Sequence, residues 1–150
     1  MNHGHKILPP VYLLVAVLLM AGLNYFTPLH TILTAPITYL GVGLIIPGFL
    51  IVIWPAASFG KAGTPIKPFE ESTYLVTNGM YRVTRNPMYL GMVVILLGVA
   101  VLFGTASPFL LVPVFGWIIK TKFVKFEEAL LDKTFGDEYI EYKRRVRRWL

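Results

Sequence analysis

Residues Met88–Ile119 read MYLGMVVILLGVAVLFGTASPFLLVPVFGWII, without one charged side chain. A run of roughly 32 residues would rise ~48 Å as a helix, well beyond the ~30 Å of hydrocarbon that one crossing has to cover. Near its middle, Gly104-Thr105-Ala106-Ser107-Pro108 supplies turn chemistry. The stretch therefore predicts a helical hairpin of two apolar spans, 88–103 and 108–120, and with it an all-α integral membrane fold. Each arm has only ~16 residues on the helix rise, so the bilayer would have to thin around the hairpin or the hairpin stop short of a full crossing.

Upstream of the hairpin, residues 10–26 and 33–54 are also uncharged and close to the ~20 residues that a spanning helix needs. No A-x-A-like cleavage site follows the first of them, which favours a span over a signal peptide. The expectation is about four transmembrane helices in a single domain over residues 1–150. Composition agrees: 55% of the residues are hydrophobic and only 15% are charged, against roughly 25% charged in soluble domains. There is no cysteine, which excludes disulfides, thiolate metal sites and cysteine nucleophiles.

The polar residues are confined to a few places. Lys61, Lys67, Glu70, Glu71, Arg82 and Arg85 fall in a proline-rich loop between Pro55 and Pro87. From Lys120 the chain is amphipathic and basic, Phe135-Gly136 marks a helix end, and a last helix, Asp137 to Trp149, is expected on the membrane surface. With four spans, all 14 lysines and arginines lie on the side of the two termini. The positive-inside rule makes that side cytoplasmic, and the expected location is the cytoplasmic membrane of a prokaryote. The net charge of +6 then points to the lipid bilayer, with the basic last helix against anionic head groups, and not to nucleic acid.

Two groups of residues can carry chemistry. Arg85-Asn86-Pro87-Met88-Tyr89 opens the third span. Asn at the N-cap, Pro in the first turn and an interfacial Tyr suit any helix entering a membrane. The same backbone amides, with Arg85 beside them, would also suit a carboxylate. Glu127-Glu128 follows a hydrophobic stretch; such a pair is commonly solvated, but an acid turned into a bundle is a functional candidate. His3, His5 and His30 have no metal-ligand spacing with a carboxylate, so no metal is expected.

Together, Leu75-Val76-Thr77-Asn78-Gly79-Met80-Tyr81-Arg82, Arg85-Asn86-Pro87-Met88-Tyr89-Leu90-Gly91, Phe126-Glu127-Glu128, Phe135-Gly136-Asp137-Glu138-Tyr139 and Glu141-Tyr142-Lys143-Arg144-Arg145-Val146 resemble the isoprenylcysteine carboxyl methyltransferase and phospholipid methyltransferase superfamily of integral membrane enzymes. The likeness runs from about Gly63 to the carboxyl end, and the first two spans match only in being apolar. It implies an S-adenosylmethionine-dependent methyltransferase acting on a lipophilic acceptor resident in the membrane.

By position, the resemblance puts the cofactor site in 73–91 and 123–146. Thr73, Tyr74, Leu75 and Val76 would line the pocket, Tyr81 would pack on the cofactor, and Asn86, Pro87, Met88 and Tyr89 would cradle its amino-acid end. Arg85, directly before that helix start, would either fork onto the cofactor carboxylate or anchor the helix to lipid head groups. Glu127 would be the cofactor-binding glutamate and Glu128 its partner. No catalytic residue is assigned. Asn86 stands where the isoprenylcysteine branch usually has His, and Phe123 where that branch has a substrate-binding Arg, so the acceptor class stays open. Two rivals follow from the same segments: an NADPH-dependent membrane reductase of sterol-reductase type, and a non-catalytic membrane scaffold.

Overall fold

The computed structural model describes residues 8–62 and 74–150, with side chains described outside 56–62. Among these residues the regular structure is helical: α1 Pro9–Phe26, α2 Leu40–Ala62, α3 Pro87–Phe103, α4 Ala106–Ile119, α5 Lys125–Phe135 and α6 Asp137–Arg145. Prolines start α1 and α3, where the missing N–H costs no helical hydrogen bond. Gly104 ends α3 at φ +71°, a left-handed conformation that glycine adopts without a Cβ clash. The chain turns there into α4, at the point where the sequence predicts a turn.

Helices α2 and α3 lie antiparallel with their backbones in contact. A Cβ on Gly98 would stand 2.7 Å from the Gly41 carbonyl oxygen, and one on Gly91 would stand 2.8 Å from that of Gly48. The paired glycines, two turns apart on each helix, are what allow this approach. The main apolar core forms between α1, α3 and α4, around Met20, Met92, Leu96 and Ile119. It continues through a π-helical turn, Lys120–Val124, that joins α4 to α5 and buries Phe123 and Val124. The wider turn re-phases the helix before the paired glutamates.

Outside this core the helices are apolar and bare. Only 17% of the Pro9–Phe26 window and 11% of the Ile37–Pro55 window is buried, so neither is the core helix of a soluble protein. Leu14, Leu18, Leu50 and Ile53 are each more than half exposed, as lipid-facing residues are.

Two expected elements are corrected. The second apolar stretch becomes helical only after Pro36, through a 3-10 turn at Ile37–Tyr39, and then continues past Pro55 to Ala62. Proline disfavours helical geometry in the residue before it. The amides of Ile32 and Leu33 are meanwhile occupied, both donating to the Gly104 carbonyl. The last helix ends at Arg145 and not at Trp149, with Val146 extended at φ −122°, ψ 131°. Its apolar side, Tyr139, Tyr142 and Val146, packs with Leu75 in a second small core, and so faces protein instead of the membrane surface.

Candidate functional site

The start of α3, the segment 75–82, helices α5 and α6 and the carboxyl tail meet at the end of the bundle away from Gly104. The adjacent glutamates on α5 are separated by this packing. Glu127 is half-buried, and the Tyr89 hydroxyl donates a hydrogen bond of 2.6 Å to its Oε1. Burial pushes its carboxyl up to about 7; the Tyr89 hydrogen bond pulls it back, and the neighbouring Glu128 charge adds to the rise. Tyr81 lies close by: burial first, then Tyr142 and Glu127, push its phenol up.

Glu128 is 7% exposed and carries a different set of bonds. Arg148 grips it with Nε at 3.0 and 3.1 Å from the two carboxylate oxygens and with Nη2 at 2.6 Å from Oε2. Arg85 approaches from the opposite element, its Nη2 3.4 Å from Oε1. The remaining donors of Arg85, Nε and Nη1, are buried without an acceptor, as is the Tyr139 hydroxyl. Arg85 stands beside that phenol and partly offsets the rise that burial and Glu128 impose on it. Two guanidinium groups against one carboxylate leave this cluster one positive charge in excess, with unused N–H groups on the arginine whose side chain is only 10% exposed.

The carboxyl tail closes over the start of α3. The Arg85 amide donates to the Arg147 carbonyl at 3.0 Å, while Thr84 Oγ1 and Asn86 Nδ2 both donate to the Arg148 carbonyl at 3.1 Å. The Asn86 amide is held by Thr84 Oγ1 at 3.2 Å. Asn86 thus occupies the N-cap position without a side-chain cap. The backbone amides of 85 and 86 are already engaged by protein, and the Arg85 side chain keeps unpaired donors beside them.

The other residues singled out in the sequence take separate places. Leu75 is buried in the α6 core with Tyr81 packed against it, whereas Tyr74 is 54% exposed. Val76 and Met88 are half-buried and Pro87 is buried. Thr73 lies outside the described residues. An open cleft of about 480 Å³ runs between the 75–82 segment and α6, lined by Leu75, Thr77, Asn78, Arg82, Glu138 and Arg145 among others. Phe123, 2% exposed, stacks edge-on with Tyr12 at 5.3 Å and lies 6.2 Å from the Tyr89 ring, while Lys122 Nζ stands 5.9 Å over Tyr12. Thr84, Tyr139, Tyr142 and Arg148 were not singled out by the sequence as site residues. Arg148 is one of five basic residues in the tail, and nothing local distinguishes it from Arg144 or Arg147.

The family model described as phospholipid methyltransferase matches residues 36–138. Protein-S-isoprenylcysteine O-methyltransferase B of Arabidopsis thaliana is 29% identical over 112 residues, which cover 73% of this chain and 57% of that protein. The protein-S-isoprenylcysteine O-methyltransferase of Schizosaccharomyces pombe is 36% identical over 72 residues, 48% of this chain and 30% of that one. Among solved structures, a eukaryotic intramembrane Ras methyltransferase, isoprenylcysteine carboxyl methyltransferase, superposes with a TM-score of 0.65 at 21% identity, covering 97% of this chain and 52% of its own. At that identity the likeness establishes the fold, that of a helical integral membrane protein. The chain spans little more than half the length of the plant relatives and of this structure.

Proposed function

Because the chain belongs to the phospholipid methyltransferase family, we propose that it is an S-adenosylmethionine-dependent methyltransferase acting on a lipophilic acceptor held in the membrane. The observation that carries this reading is the unused edge of Arg85. Two buried N–H groups with no acceptor, in a cluster of two guanidinium groups and one carboxylate, suit a carboxylate such as that of the cofactor's amino-acid end. Glu127, whose Oε1 accepts the Tyr89 hydroxyl, has further lone pairs that suit a ribose hydroxyl or an ammonium group. Leu75, Val76 and Tyr81 supply apolar and aromatic surface alongside, and Asn86, Pro87, Met88, Tyr89 and Glu128 shape the ground between.

When bound, S-adenosylmethionine supplies a methyl group already activated on a sulfonium centre. The residues of this chain then have to orient the two reactants and keep water out, which needs no dedicated base. The acceptor would approach from the lipid beside α1 and the Phe123 cluster. In this arrangement four helices cross the bilayer, with both termini and the 55–87 segment in the cytoplasm. Lys143 pairs with Asp132, Arg145 with Glu141 and Arg148 with Glu128, so exposed Arg144 and Arg147 are the tail residues that would meet anionic head groups.

Calorimetric titration of the detergent-solubilised protein tests the reading. S-adenosylhomocysteine should bind and NADPH should not; the opposite outcome would identify a reductase, and binding of neither would leave a scaffold. The Arg85→Lys variant should bind more weakly than wild type, because an ammonium cannot reproduce the flat two-point grip of a guanidinium. Wild-type affinity in that variant would remove Arg85 from the cofactor site. Incubating membranes with methyl-labelled cofactor and fractionating the lipid-soluble products would name the acceptor class.

A further inference from the structure

The side chain of Arg148 meets Glu128 and its carbonyl meets the start of α3, although 62 residues separate it from Asn86. Glu128 has two oxygens and two arginines within reach. Arg148 takes both oxygens with a fork of three contacts at 2.6–3.1 Å, and Arg85 reaches only one oxygen, with one nitrogen, at 3.4 Å. This unequal sharing is what leaves Arg85 Nε and Nη1 without an acceptor.

We infer that Arg148 is a positioning residue, which occupies Glu128 so that the free edge of Arg85 stays available to an incoming carboxylate. The inference rests on the reading of Arg85 given above. Without Arg148, Glu128 is a buried carboxylate whose nearest cation is Arg85. A carboxylate and a guanidinium at that distance prefer the two-point, fork-to-fork geometry, which would consume the nitrogens that a ligand needs. Glu128 would then compete with the ligand inside the protein. The competition depends on the charge of Glu128, which separates this role from a merely mechanical one. If the Arg148–Glu128 pair only held the tail in place, Arg148→Gln, Glu128→Gln and the double variant would all lose the same affinity, whereas under competition removing the carboxylate should restore affinity lost with Arg148.

A double-mutant cycle reads the difference directly. S-adenosylhomocysteine affinity is measured calorimetrically in one detergent for wild type, Arg148→Gln, Glu128→Gln and the double variant, with thermal unfolding recorded for each. Arg148→Gln should weaken binding about tenfold, the scale of one charge-assisted hydrogen bond pair. The double variant should return to the affinity of Glu128→Gln alone. Arg148→Lys, which keeps the charge but not the fork, should fall between Arg148→Gln and wild type, and it serves as the single variant if Arg148→Gln does not fold. Equal loss of affinity in Arg148→Gln, Glu128→Gln and the double variant would overturn the inference and leave the tail a clasp. Unchanged affinity in Arg148→Gln or Arg148→Lys would overturn it as well. Failure of the wild type itself to bind S-adenosylhomocysteine would refute the underlying reading instead, so the two failures are distinct.

Discussion

Glu127 and Glu128 are neighbours in the chain, yet one holds a neutral phenol and the other two guanidinium groups. Burial raises the Glu127 carboxyl from its usual 4.5 to about 7. A carboxyl raised on folding contributes stability that is fully present below the unfolded value and is lost as pH rises through the folded one. For Glu127 that window runs from about 4.5 to about 7. The Glu127→Gln variant keeps an acceptor for Tyr89 but carries no charge. It should melt with wild type at pH 4 and be more stable than wild type at pH 8, by roughly 1–2 kcal/mol once partial solvent access to the half-buried group is allowed for. It should also bind S-adenosylhomocysteine more weakly than Glu128→Gln does. Thermal unfolding at the two pH values checks the first statement; a Gln variant less stable than wild type at pH 8 would mean that the ionised form is favoured by contacts at Glu127 other than Tyr89. On the proposed reading, the ionised form is kept at a cost in stability, as binding groups often are.

Among the elements, α2 and α3 show most sharply how small residues set a helix pair. Gly41 and Gly43 are two positions apart on α2, yet a Cβ at Gly41 would stand 2.8 Å from the Leu102 amide nitrogen and 2.7 Å from Leu102 Cγ, whereas one at Gly43 would meet nothing within 4 Å. Gly41→Ala should therefore destabilise the protein by about 1–3 kcal/mol through overpacking. Gly43→Ala should be neutral or stabilising by up to about 1 kcal/mol, through better helix propensity alone. Melting temperatures of the two variants in the same detergent decide the matter, and equal effects would contradict the close approach. The register of this pair matters for the site, because Gly91 lies about one helical turn from Pro87 and Met88 at the start of α3. The π-helical turn at Lys120–Val124 acts in the same way on α5, turning Glu128 inward against Arg85 and Arg148.

At the scale of the whole molecule the polar chemistry is gathered at one end. At the other end Thr105 Oγ1 donates to Asn24 Oδ1 at 2.7 Å and Ser107 Oγ to the Leu23 carbonyl at 3.4 Å, and no Lys or Arg occurs between residues 86 and 119. Reporter fusions at position 61 and after Leu150 should both report the cytoplasm, and a fusion at Thr105 should report the far side. A fusion at position 61 that reports the far side would rule out the four-crossing arrangement. The same segregation places the cofactor reading and the basic tail on one surface, with Arg144 and Arg147 outermost.

The apolar stretches, the confinement of lysine and arginine to the segments outside them, and the turns at Gly104 and Gly136 were legible in the sequence alone. Hydropathy and charge are local sums that need no knowledge of neighbours, and a left-handed turn is a steric demand on one residue. The position of Arg85 beside the start of α3 was legible for the same reason. Tertiary structure decided the rest. Helix α2 begins only after Pro36 because Ile32 and Leu33 bond to the Gly104 carbonyl. Residues after Arg145 leave the helix where the carbonyls of Arg147 and Arg148 are taken by Arg85, Thr84 and Asn86. Which glutamate meets a tyrosine and which meets two arginines depends on contacts between residues 20 to 43 positions apart. Such contacts are made by packing, and packing chooses among chemically equivalent residues that a pattern along the chain cannot tell apart.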